Sequence, residues 1–79
     1  MHPNLLYVLP ECGGCNKARR SLNNKGISYT EIVIDNPIVE LGVKQLFKGK
    51  IYAPFLLKPE EGLFVFSGKE SEILTRVVI

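Results

Sequence analysis

Two cysteines separated by two residues, Cys12 and Cys15, stand where an apolar strand-like run gives way to a helix-like pattern, and they are the only cysteines in the chain. A C-x-x-C pair at a strand-to-helix junction constrains the fold more than any other feature here, because both thiols must be served by one turn at a sheet edge. The run Leu5 to Leu9 is apolar throughout, as a strand covered on both faces would be, and Pro10 ends it. From Cys12 onward, Cys15, Ala18 and Leu22 recur at helical spacing, with Gly26 placed as a C-terminal glycine.

The remaining chain alternates in the same way. Ile27 to Asp35 is rich in β-branched and aromatic residues and reads as a second strand. Asn36 followed by Pro37 is an N-cap with proline in the first helical turn, and Val39, Val43, Leu46 and Phe47 form the apolar face of a helix that runs to Gly49. Gly42 lies inside that helix at a cost of about 1 kcal/mol. Ala53 to Leu57 and Leu63 to Phe66 flank the turn Pro59-Glu60-Glu61-Gly62 as a hairpin. Ser67 and Glu70 match a capping box, so Ile73, Leu74, Val77 and Val78 are expected on a C-terminal helix. The predicted order is β-α-β-α-β-β-α, an α/β fold with a four-stranded mixed sheet in a single domain spanning residues 1–79.

Seventy-nine residues hold one small core. A disulfide closing so short a loop removes little unfolded-state entropy, so the cysteines are there for chemistry rather than as a staple. The net charge of +2 is too small to argue for nucleic acid, and Lys17, Arg19, Arg20 and Lys25 read as a solvated helix face. The first residues carry no basic segment or cleavage site, and no apolar run is long enough to span a membrane, so a cytoplasmic setting is expected. There a C-x-x-C pair is catalytic or metal-binding rather than structural. A closed zinc site needs four ligands, and beyond the pair the chain offers His2 as a further one, so the competing metal or iron-sulfur reading requires a dimer.

Cys12 is expected at the N-terminus of the first helix, where unpaired amides and the helix dipole favour a thiolate, and Cys15 one turn inside. Cys12 then attacks a substrate disulfide and Cys15 resolves the mixed disulfide. Gly13 and Gly14 carry no side chains and let a partner's backbone approach the sulfurs.

The segment Tyr7 to Leu22 resembles the active-site region of glutaredoxins and of the related NrdH redoxins. It has a tyrosine five residues before the first cysteine, the C-x-x-C pair, and a basic helix ending in A-R-R-S-L. Ala53-Pro54 falls where that family has a cis-proline facing the cysteines, and Phe66-Ser67-Gly68 where it turns before its last helix. The resemblance implies the thioredoxin fold in its minimal glutaredoxin form and dithiol-disulfide exchange. It implies catalytic roles for Cys12 and Cys15, and a substrate surface of Tyr7, Glu11, Gly13, Gly14, Ala53, Pro54, Gly68 and Lys69. No tightly bound cofactor or metal is expected, and the protein is expected to act as a monomer. Two departures stand out: Leu9 occupies the place of a customary basic residue, and Glu11 directly precedes Cys12. Two reductants therefore stay open, glutathione by the glutaredoxin likeness and thioredoxin reductase by the NrdH one. Ribonucleotide reductase is the client that both families suggest.

Overall fold

The structure is a computed structural model and describes residues 3–77. Its elements run β1 (Leu5–Val8), α1 (Gly13–Asn24), β2 (Thr30–Val33), α2 (Pro37–Leu46), β3 (Phe55–Lys58), β4 (Gly62–Ser67) and β5 (Ile73–Val77). The strands form one mixed sheet in the order β2-β1-β3-β4-β5, with β1 and β2 parallel and every other neighbouring pair antiparallel.

Strand alternation divides the apolar residues between two faces. Leu6, Val8 and Leu56 pack against Cys15, Ala18 and Leu22 of α1. On the other face Phe55, Leu63 and Ile34 meet Val43 of α2, with Tyr7, Leu9, Val39, Leu46 and Phe47 around them. Covering both faces is the physical reason that β1 reads as an unbroken apolar run. The cap expected at Asn36 forms, its side-chain oxygen accepting from the Val39 N–H at 3.0 Å, and Gly42 does not interrupt α2.

One expectation is overturned. The segment expected to be a C-terminal helix is a fifth strand, so the order is β-α-β-α-β-β-β and the sheet has five strands rather than four. Ser67 closes β4 instead of capping a helix, and its hydroxyl donates to the Ile73 carbonyl at 3.5 Å. Gly68 (φ 89°) and Ser71 (φ 55°) adopt left-handed backbone that a helix start excludes. The segment behind them, Ile73-Leu74-Thr75-Arg76-Val77, is short and mostly β-branched, a poor helix and a good strand. Val78, assigned to the same helix, lies outside the described residues, as does His2.

Candidate active site

Cys12 is the N-cap of α1, with extended backbone (φ −132°, ψ 104°), and the helix begins at Gly13. No side chain caps this end and no acidic residue lies in the first turn, so the leading amides of α1 stay available beside the Cys12 sulfur. The Cys15 N–H donates to the Cys12 carbonyl at 3.2 Å, which brings the two residues one turn apart on adjacent sides of the helix end. They are joined by a disulfide, with their Cα atoms 5.3 Å apart. Cys15 is fully buried on the inward stripe it shares with Ala18 and Leu22, whereas Cys12 is half-buried. One sulfur is thus open to a partner and the other is shielded behind it.

Pro54 approaches this turn from the start of β3. The Ala53–Pro54 peptide bond is cis, and a Cβ built on Gly14 would lie 3.9 Å from the Pro54 Cδ, an ordinary contact. Gly13 has nothing within that range, so the fold itself requires a glycine at neither position. Glu11, Gly13 and Gly14 are all exposed, and Ala53 and Pro54 are half-buried.

Tyr7 is placed differently. It lies on the α2 face of the sheet, stacked on Phe55 (centroids 4.5 Å apart, planes at 8°), while the cysteines belong to the α1 face. Phe55 meets Phe47 edge-on at 5.0 Å, and Phe47 stacks on Tyr52 at 5.1 Å. Leu9 packs into the same α2-side cluster, so its side chain serves the core there. Tyr52, which a cis Pro54 would make a backbone neighbour of an incoming partner, is 41% exposed just before the cis bond.

Gly68 and Lys69 lie in the turn between β4 and β5. With no helix there, the amides at 68–70 have no helix dipole behind them, a second consequence of the missing helix. The turn is instead strapped to α1 by the basic residues that the sequence suggested were merely solvated. Lys17 Nζ donates to the Lys69 carbonyl at 3.2 Å, Lys25 Nζ to the Glu72 carbonyl at 2.6 Å, and Arg20 approaches Glu70 at 3.7 Å. Arg19 points the other way, pairing with Glu31 of β2 at 2.5 Å and with the Asn16 side chain at 2.6 Å. The hydrogen bond from Arg19 holds the Glu31 carboxyl below the usual carboxylate range, against a smaller opposing effect of burial, and the same bond raises the Arg19 guanidinium.

Among the described residues, no three His, Cys, Asp or Glu side chains converge on a metal-sized site, and no helix is long and apolar enough to cross a membrane. The family model for glutaredoxin matches residues 4–54, a span from β1 through both cysteines to the cis-proline. No curated protein and no solved structure matches the chain.

Proposed function

The chain belongs to the glutaredoxin family, and from that premise we propose that it is a dithiol electron carrier in which Cys12 is the nucleophile and Cys15 the resolving thiol. Glutaredoxins are thiol-disulfide oxidoreductases, and the bonded Cys12–Cys15 pair at the start of α1 is the oxidised form such chemistry leaves. The observation that carries the assignment of roles is the difference in exposure between the two sulfurs.

In the reduced protein the Cys12 thiolate, favoured by the amides of α1, attacks one sulfur of a substrate disulfide. A mixed disulfide with Cys12 forms and the first substrate thiolate leaves. The Cys15 thiolate then attacks the Cys12 sulfur, the second substrate thiolate departs, and two electrons have passed from the dithiol to the substrate. The exposed glycines 13 and 14 and the backbone of Ala53 leave room for an extended partner segment beside the sulfurs, with Glu11 and Lys69 as rim charges. Two molecules of glutathione then return the pair to the dithiol in a cytoplasmic setting and leave joined as glutathione disulfide, and the client is a protein disulfide such as that of ribonucleotide reductase.

The test is NADPH oxidation coupled through glutathione and glutathione reductase, run beside the same assay with thioredoxin reductase. Turnover through glutathione is expected; turnover through the reductase alone would replace glutathione as donor while leaving the dithiol mechanism intact. Cys12→Ser should abolish turnover, and Cys15→Ser should accumulate a mixed disulfide visible by mass spectrometry. Unchanged turnover in both variants would end the proposal.

A further inference from the structure

The strand that replaces the expected helix leaves the sheet with an open edge. Among the described residues β5 has a strand neighbour on one side alone, β4, and its five consecutive pairs with β4 contain no bulge and no proline. Such edges usually carry a guard against pairing with another chain.

The direction of the free backbone groups follows from the sheet. The Asn4 and Val8 carbonyls accept from the Thr30 and Ile34 amides at 2.8 Å each, so Asn4, Leu6 and Val8 turn their polar backbone groups to β2, and Leu5 and Tyr7 turn theirs to β3. Through the registers Leu5↔Leu57, Leu56↔Phe64 and Val65↔Thr75, alternation carries this parity across the sheet. Ile73, Thr75 and Val77 therefore bond to β4, and Leu74 and Arg76 point their N–H and C=O groups outward, as does Glu72 just before the strand.

The side chains of those same three residues share the α1 face of the sheet, and they read acidic, apolar, basic. Antiparallel pairing of this edge with its own copy, centred on Leu74, sets Leu74 against the partner's Leu74 in an outward hydrogen-bonded pair. It also sets Glu72 against the partner's Arg76, and Arg76 against the partner's Glu72. Glu72 and Arg76 are exposed, and among the described residues neither side chain is in an ion pair. Moving the register by two residues keeps the hydrogen bonds in phase but sets Arg76 opposite leucine in one direction and Glu72 opposite leucine in the other, so charge favours the first register. Lys25 already donates to the Glu72 carbonyl, so a partner strand would share that acceptor with Lys25, while the Glu72 carboxylate is in no ion pair among the described residues.

We infer that β5 is a self-recognition edge, on which two copies of this chain join their sheets antiparallel through Glu72, Leu74 and Arg76. The edge is short, so the dimer is weak and forms at high protein concentration. The cysteines belong to the β1–α1 turn, three strands away in the sheet, and stay open in the pair.

Charge reversal tests this directly by sedimentation under reducing conditions, which removes any intermolecular disulfide. The unaltered chain should show concentration-dependent dimerisation. Glu72→Arg and Arg76→Glu should each weaken it about tenfold or more, since each places like charges opposite one another twice. An equimolar mixture of the two variants should dimerise again, because every cross-pair is then complementary. Circular dichroism and unchanged disulfide turnover identify the variants as folded. A chain that sediments as a monomer at every concentration, or a dimer indifferent to both reversals, or a mixture that stays monomeric, overturns the inference.

Discussion

Cys12 and Cys15 are three positions apart and differ in exposure because the helix starts between them. The first belongs to extended backbone and the second to the buried stripe of α1. The glycines separating them are conformationally ordinary here, since neither has positive φ and neither meets a neighbour that a methyl group would clash with. Gly13→Ala should therefore raise stability, by up to about 1 kcal/mol, through helix propensity alone. A urea midpoint that rises while disulfide turnover falls would assign the glycine to partner access; a falling midpoint would contradict the geometry. Glu31 provides a second residue-scale test. Its folded-state carboxyl is lowered by Arg19, so the stability from this exposed pair is present above the unfolded value of 4.5 and lost as pH falls through the folded one. The pair contributes at most about 1 kcal/mol, being screened by solvent. Glu31→Gln should thus lower the urea midpoint slightly at pH 7, and the difference from the unaltered protein should shrink as pH falls below 4.5.

Among elements, β1, α1 and α2 were legible in the sequence because each carries a period and a stop signal: Pro10 after β1, Asn36-Pro37 before α2, and the inward stripe of α1. The last element was not, because Ser67 and Glu70 have the spacing of a helix cap while the segment behind them has β-branched content, and only the sheet decides between them. An unpaired β4 edge gives Ile73 to Val77 a ladder of hydrogen bonds that a helix of the same length could not match. Gly68 makes the turn possible. Its φ is 89°, and a Cβ there would come within 3.4 Å of Ile73 Cδ1. Gly68→Ala should cost roughly 1 to 2 kcal/mol, combining left-handed strain with that tight contact. The loss should show as faster hydrogen exchange in β5 than in β1, since the strand is held at one edge. Equal exchange in both strands would mean that the turn does not control the edge. The same misreading hid the role of Lys17, Arg20 and Lys25, whose partners are backbone carbonyls and a carboxylate of that turn. No sequence pattern marks a lysine as facing a carbonyl on a distant loop.

At the scale of the molecule, the sheet separates two clusters that share almost no atoms. Leu22 is fully buried against Leu6, Val8 and Leu56 on one face, and Val43 against Phe55 and Leu63 on the other. Losses on the two faces should add, because no side chain is common to both clusters. Leu22→Ala should cost about 2 to 5 kcal/mol, as truncation of a buried leucine does, and Val43→Ala somewhat less for its smaller volume. A chain this short has about 4 to 12 kcal/mol of stability in all. The double variant should then sit at or below the folding threshold even where each single variant is folded. Urea unfolding of the four proteins decides it. Additive losses support two independent faces, whereas a double variant no worse than Leu22→Ala alone would mean that the faces relax together. The Cys12–Cys15 disulfide should alter this comparison little, because it closes a loop of one helical turn within the α1 face. Reducing it should therefore lower all four stabilities by a similar amount, at most about 2 kcal/mol each. A redox carrier of this size needs that arrangement: its dithiol has to cycle between bonded and open forms while the packing that holds α1 on the sheet stays closed.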